Sequence, residues 1–229
     1  MLLDFDGATL IARHIAMLAD LGVARIVVVT GFMADTLEAS IAALDPRVPV
    51  SFVRNPRFDE GSVVSFAVGA AYLAGQADEP SSMVLMDGDV LYDARMLDRL
   101  AAAPGENILL VDRDIEPGDE PVKICFDAQN RIVDFRKQPE HPHVRHGESV
   151  GFFRFSPAMA ATLGERAAAY AADDRARLEY EEVIRDLILA SPDRFHAEDI
   201  SDLPWTEIDF PEDVARARDE ILPQLERAS

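Results

Sequence analysis

Two short acidic stretches hold the side chains best suited to phosphate chemistry. Asp87-Gly88-Asp89 follows the apolar run Met83 to Met86, which reads as a buried strand. In open α/β sheets, ligands bind beyond the carboxyl ends of the strands. Two carboxylates about a glycine offer the hard oxygen ligands that Mg²⁺ prefers, and the glycine lets the backbone come close to a ligand. The same triplet also reads as an ordinary Asp-Gly turn. The second stretch is Glu207-Ile208-Asp209, at the end of a short strand; alternation sets Glu207 and Asp209 on one face. If this strand lies beside the first, Asp89 and Asp209 share one Mg²⁺, able to bridge a triphosphate and stabilise charge on a transferring phosphoryl group. The competing reading has Asp209 capping the helix that Pro211 opens.

Other candidates carry less chemistry. His141, His143 and His146 crowd one loop, but the stretch contains proline and has no fourth ligand nearby, so they read as solvated loop histidines. Cys125 reads as a small core residue and Trp205 as a packed aromatic.

The elements that must position these groups alternate. Helical spacing runs from Ala8 to Leu21 and stops at Gly22; Ile26-Val27-Val28-Val29 is a β-branched run typical of a parallel strand covered on both faces. Met33 to Leu44 is a helix, Val48 to Val53 a strand, and Ser62 to Ala74 a helix that Ser62 could cap. Ala94 to Ala103 is a helix and Asn107 to Val111 a strand. This rhythm predicts an α/β fold with a mostly parallel central sheet flanked by helices. Val122 to Phe126 and Arg131 to Phe135 then form a β-hairpin, with Asn130 suited to a left-handed turn position. Ser149 to Phe155 and Trp205 to Phe210 are strands; Pro157 to Ala172, Leu178 to Ala190 and Pro211 to about Arg227 are helices. With no internal repeat and no low-complexity linker, residues 1–229 read as one domain: about 1–118 a nucleotide-binding half, about 119–229 an acceptor lobe with the second metal ligand.

Composition narrows the class. At 229 residues and 48% hydrophobic content, the chain can bury a sizeable core. The formal net charge of −20 opposes nucleic-acid backbones and anionic lipid, so phosphate chemistry here needs a divalent cation or a local basic cluster. Neither a membrane-length apolar run nor a secretory leader is visible, and the single cysteine rules out an internal disulfide framework; the expectation is a cytoplasmic protein without nucleic-acid or membrane partners.

The ordered set of motifs resembles the nucleotidyltransferase superfamily, with its Rossmann-like fold. The matching segments are Leu2-Leu3-Asp4-Phe5-Asp6-Gly7, Ile26 to Gly31, Asn55-Pro56 with Gly61-Ser62, and Asp87 to Val90. Gly147 to Gly151 and Glu207 to Asp213 complete it. Within that superfamily the chain is most similar to the phosphocholine cytidylyltransferase branch and its aminoethylphosphonate relatives. The resemblance implies transfer of CMP from CTP to a small phosphorylated alcohol or phosphonate, with a sugar 1-phosphate as the alternative acceptor. It implies Mg²⁺ on Asp89 and Asp209; Asn55, Gly61, Ser62, Ser65 and Asp87 around the nucleotide; and Lys137 neutralising phosphate. Glu148 would line the acceptor pocket, while Tyr180, Glu181 and Glu182 would face a cationic head group. The family begins with a strand and a Gly-rich loop carrying an Arg, then Pro-Lys, immediately before the segment matching Leu2-Leu3. Met1 stands where that stretch would end, so the expectation is a domain shortened at its N-terminus, with an inactive nucleotide-binding or interaction module as the alternative.

Overall fold

The computed structural model describes residues 1–76, 81–114 and 121–225. The chain opens with a minimal hairpin, β1 (Asp4–Phe5) and β2 (Ala8–Thr9), turned by Asp6 and Gly7 at positive φ. Helix α1 (Leu10–Leu21) follows, capped at one end by the Thr9 side chain and closed at the other by left-handed Gly22. Strands β3 (Ile26–Thr30) and β4 (Val50–Arg54) flank α2 (Ala34–Ala42) and pair in parallel. Next come α3 (Ser62–Gln76), β5 (Met83–Met86), β6 (Val90–Tyr92), α4 (Arg95–Ala102) and β7 (Asn107–Asp112).

The second half carries β8 (Lys123–Phe126), β9 (Ile132–Arg136), the long β10 (Arg145–Phe155), α5 (Pro157–Ala171) and α6 (Glu181–Ala190). It ends with β11 (Phe195–Asp199), β12 (Trp205–Glu207) and α7 (Pro211–Arg216). The expected hairpin is β8–β9, and Asn130 takes the left-handed position in its turn at φ 64°. The helix expected from Leu178 begins at Glu181, after a 3₁₀ turn; the one expected to reach Arg227 loosens into a π turn after Arg216, and residues 226–229 lie outside the described ones.

The α/β, Rossmann-like nature of the fold is as expected, with one difference in strand direction. The six-stranded sheet has the order β11-β7-β10-β8-β9, with β5 also on β10. Parallel pairing holds for β3–β4 and β7–β11, whereas β10 runs antiparallel to β5, β7 and β8. The hairpin is the cause: two strands joined by a tight turn must run antiparallel, and β10 returns alongside them. Along one edge β10 pairs first with β8 (Arg145 to Glu148) and then with β5 (Phe152 to Phe155). On its other edge the register with β7 shifts between Ser149 and Phe153. Gly151, at φ 73°, sits in that irregularity, a bulge that re-aims the strand beside the end of β5.

Alternation along the central strands feeds a core on each side of the sheet. Leu109 and Val111 of β7, with Phe153 and Phe155 of β10, pack against α3, α5 and α6. Ile108 and Leu110, with Phe152, pack against α4, Met17 of α1 and Tyr92 of β6. Cys125 is buried in β8, as expected. Among the described residues no helix is long and apolar enough to cross a membrane.

Candidate active site

The pairing of β6 with β12 builds the site. Val90 lies opposite Glu207, and the Ile208 N–H donates to the Asp89 carbonyl at 3.0 Å. The strand end carrying Asp89 and the one carrying Glu207 and Asp209 are therefore held side by side. The three carboxylates offer oxygens that all lie within 4.8 Å of one another. Asp89 Oδ1 is buried with no hydrogen-bond partner among the described residues. Burial first, and then the Asp209 charge, push the Asp89 carboxyl above its ordinary range. Glu207 is exposed as a residue, yet desolvation of its carboxyl, with Asp209 and Asp89 close by, pushes it up to about 7. Three like charges with an enclosed, unmet oxygen fit a hard divalent cation such as Mg²⁺.

Capping does not consume Asp209. The N-cap of α7 is Phe210, and the Asp213 carboxylate accepts the N–H groups of Phe210 and Asp209 at 2.7 and 3.1 Å. Glu207 joins the acidic group as a third member. Its signal was the i, i+2 alternation with Asp209, which placed it on the same face.

Asp87 lies beneath the triad. Its N–H donates to the Gly151 carbonyl at 3.1 Å and its Oδ2 accepts the Tyr180 hydroxyl at 2.7 Å. Burial, then the nearby Glu181 charge, raise its carboxyl well above the usual range. Tyr180 itself is only 6% exposed and belongs to the core, its ring 6.0 Å from those of Phe66 and Phe153. Glu181 Oε2 is likewise buried without a hydrogen-bond partner among the described residues, and burial pushes that carboxyl up to about 7.

Lys137 comes in from the loop after β9. Its ammonium lies 3.2 Å from Glu179, and its charge draws the Glu181 and Glu207 carboxyls down. Glu148 stands on β10 opposite Asp112 of β7 and lines a cleft of about 430 Å³ that opens beside Glu207 and Asp209. Trp205 forms part of its wall, fixed by an indole N–H donated to Asp112 at 2.7 Å, and Phe210 stands exposed at the edge.

The nucleotide-side candidates gather at the start of α3. Asn55 Nδ2 donates to Ser65 Oγ at 3.0 Å, and its Oδ1 accepts the Arg57 N–H at 2.9 Å. Gly61 is pressed against the Arg177–Leu178 backbone, where a Cβ would collide with the Leu178 carbonyl. Ser62 does not cap its own helix; its hydroxyl accepts the Tyr180 N–H at 2.9 Å. The loop histidines stay apart from the acidic triad: His141 Nδ1 lies 3.1 Å from Asp134, and His143 Nδ1 3.0 Å from the His141 carbonyl.

This fold and strand-end site define a nucleotidyltransferase domain. The chain belongs to the MobA-like NTP transferase domain family, whose model matches residues 1–178. It is 25% identical over 235 residues to CMP-5'-(3-aminopropyl)phosphonate synthase of Streptomyces rubellomurinus, covering 96% of this chain and 35% of that protein. It is 27% identical over 221 residues to the bifunctional IPC transferase and DIPP synthase of Rubrobacter xylanophilus, covering 94% and 46%. The chain thus spans less than half the length of these two relatives. Among solved structures, the inositol-1-phosphate CTP transferase from T. maritima superposes with a TM-score of 0.73 at 20% identity, covering 99% of this chain and 86% of that one. HddC from Yersinia pseudotuberculosis, complexed with GMP-PN, superposes with a TM-score of 0.61 at 13% identity, covering 96% and 88%.

Proposed function

We propose that this domain transfers CMP from CTP to a small phosphonate or phosphorylated alcohol that also carries a cationic group, as aminoalkylphosphonates and phosphocholine do. The observation that carries the reading is the acidic cleft joined to the Asp89–Glu207–Asp209 triad. Asp112, Glu148 and Asp213 line it along with Glu207 and Asp209, beside Trp205 and Phe210. A lone anionic acceptor is repelled by such walls, whereas a zwitterion meets carboxylates and aromatic faces at its cationic end. The name of one curated relative, a CMP-5'-(3-aminopropyl)phosphonate synthase, supports a cationic phosphonate acceptor; the other, a bifunctional IPC transferase and DIPP synthase, supports a transferase reaction without bearing on the cation.

In this reading an acceptor phosphate or phosphonate oxygen attacks the α-phosphorus of CTP; the new P–O bond forms as the bond to the bridging oxygen breaks, and pyrophosphate leaves. Mg²⁺ held by Asp89 and Asp209, with Glu207 beside them, would supply positive charge against the phosphates. Lys137 adds a local positive charge on the acceptor side of an otherwise acidic site. Asn55, Gly61, Ser62, Ser65 and Asp87 set the nucleotide side, while Glu148 and the buried Glu181 set the field felt by the acceptor's cation. No side chain needs to act as a nucleophile, so positioning carries much of the catalysis.

The test is a panel of acceptors with radiolabelled CTP and Mg²⁺. CMP adducts of 3-aminopropylphosphonate or phosphocholine are the expected products, with inositol 1-phosphate and glucose 1-phosphate turned over poorly. Turnover of glucose 1-phosphate alone would reassign the acceptor, and absence of any pyrophosphate release would reassign the domain to a binding role.

A further inference from the structure

The stretch from Ala176 to Glu181 touches two parts of the site at once. Toward the nucleotide side, the Ala176 carbonyl accepts the Gly61 N–H at 2.9 Å and the Leu178 carbonyl accepts the Val63 N–H at 3.3 Å. The Tyr180 N–H closes the joint on Ser62 Oγ at 2.9 Å. Toward the acidic triad, the same Tyr180 sends its hydroxyl to Asp87 Oδ2 at 2.7 Å. Asp87 is held a second time through its own N–H on the Gly151 carbonyl, and its Oδ2 fills the space a Cβ on Gly151 would take.

Packing accounts for the Tyr180 ring but not for its hydroxyl, since a phenylalanine would lie equally well between Phe66 and Phe153. What the hydroxyl meets is a buried carboxylate set among Glu181, Asp89 and Glu207. A buried carboxyl group costs free energy unless a hydrogen-bond partner satisfies it, and the Tyr180 hydroxyl is the side-chain partner that meets Asp87 Oδ2. Asp89 follows two residues later in the same bend, with its own Oδ1 enclosed and without a hydrogen-bond partner among the described residues. We propose that Tyr180 is a positioning residue: through its hydrogen bond to Asp87 it holds the Asp87-Gly88-Asp89 turn in the conformation that presents Asp89 to a divalent cation, and through Ser62 it ties that turn to the start of α3.

The proposal rests on the nucleotidyltransferase reading of the site, and its test separates the two. Mn²⁺ serves as the probe, its affinity measured by water-proton relaxation without substrate, alongside steady-state kinetics with CTP. Tyr180→Phe is expected to weaken Mn²⁺ binding about tenfold, the scale of one lost hydrogen bond to a charged group. It lowers kcat to a similar degree and leaves the KM of the acceptor within about twofold, a split expected of a group that orders the reacting site and not the acceptor. Asp87→Ala and the double variant Asp87→Ala/Tyr180→Phe are expected to bind Mn²⁺ equally, because the hydroxyl has nothing left to orient. That comparison holds even if the single Tyr180→Phe chain is insoluble. A Tyr180→Phe protein with lowered thermal midpoint but wild-type Mn²⁺ affinity and kcat overturns the proposal, as does a further loss of affinity in the double variant. Since Mn²⁺ affinity is read without substrate, a wild-type protein that binds the ion yet transfers no CMP overturns the reading of the reaction and not the role of Tyr180.

Discussion

Gly151 and Asp87 exclude one another by a single carbon atom: a Cβ at Gly151 would collide with the Asp87 carboxylate. The φ of Gly151 is 73°, in the region that favours glycine. Gly151→Ala therefore carries two penalties: about 1–2 kcal/mol for the left-handed backbone, and displacement of the carboxylate beneath the Asp89 strand end. The expected protein is folded, less stable by that amount in urea, and weaker in Mn²⁺ binding. Wild-type Mn²⁺ affinity would show that Asp87 can move without disturbing Asp89.

Like charges in the triad make the metal-free site a point of stored repulsion. After burial, the larger cause in both, Asp209 and Asp89 raise the Glu207 carboxyl, and Asp209 raises Asp89. Asp209→Asn is accordingly expected to raise the thermal midpoint of the metal-free protein while lowering Mg²⁺-dependent turnover on the order of a hundredfold or more, the scale of several kcal/mol of lost charge stabilisation. Asp89→Asn should do the same. Calorimetry in chelator, paired with pyrophosphate release in Mg²⁺, checks both halves. A variant that loses stability and keeps turnover would place the residue in the scaffold.

Much of this was legible in the sequence wherever a local pattern carries the signal. The β-branched run of β3, the helical spacing of α1 with its Gly22 stop, and the Asn130 turn all appear within a few residues of their expected positions. Asp89 and Asp209 stand out in the sequence because each follows a strand beside further carboxylates, and the structure brings the two together. Strands β6 and β11 were not foreseen. The first is three residues long, directly behind the acidic turn; the second, Phe195–Asp199, is largely polar, and its extended form comes from parallel pairing with β7. Tyr180 shows the deeper limit. Its place under Asp87 depends on a hydrogen bond to a residue 93 positions earlier, which no local periodicity records. Lys137 and Glu148 were readable only by resemblance, since an isolated lysine or glutamate has no pattern of its own.

Burial pushes the Glu181 carboxyl up to about 7 from an ordinary 4.5, so the folded protein binds this proton more tightly than the unfolded chain does. The resulting stabilisation is fully present below pH 4.5 and is lost as pH rises through 7, a swing of about 3 kcal/mol. Glu181→Gln removes it. Relative to the wild type, the variant is expected to be more stable at pH 8 and less so at pH 5; the difference reports Glu181 together with the Asp87 carboxyl that its charge raises. Urea midpoints in chelator across that range provide the measurement, and parallel curves would mean that the Glu181 carboxyl is solvated.

His14 titrates in the opposite sense. It is buried in α1 with Nε2 2.9 Å from the Val90 carbonyl and its ring edge-on to Tyr92, and burial lowers its pKa to about 4 despite that carbonyl. The folded protein then resists protonation that the unfolded chain accepts from pH 6.5 downward, so this contribution to stability is lost between pH 6.5 and 4. Imidazole proton shifts are expected to stay flat for His14 down to about pH 5, unlike an exposed histidine at its ordinary value near 6.5. A midpoint near 6.5 would mean that its ring reaches solvent.

The buried pair Asp134–Arg185 anchors the Glu140–His141 stretch of the loop that follows Lys137. Asp134 is fully buried in β9 and accepts Arg185 Nε at 2.6 Å; Arg185, on α6, also reaches Glu140 at 3.0 Å. The same carboxylate accepts the N–H groups of Glu140 and His141 at 2.7 and 2.9 Å, closing the loop that carries Lys137 onto the strand. Burial alone would raise the Asp134 carboxyl, but the Arg185 guanidinium and these N–H groups outweigh it and hold it below the carboxylate range. Arg185→Met leaves that charge buried with backbone N–H partners and the half-exposed His141 ring in place of the guanidinium, so a loss of about 3–5 kcal/mol is expected in urea unfolding. Adding Asp134→Leu removes the stranded charge and should restore part of this loss. Full recovery is not expected, because the Glu140 and His141 N–H groups lose their acceptor at about 1–3 kcal/mol each. Hydrogen exchange at those two amides separates the effects: they should exchange faster in the double variant than in Arg185→Met. Equal protection in both would show that the loop is held by something other than Asp134.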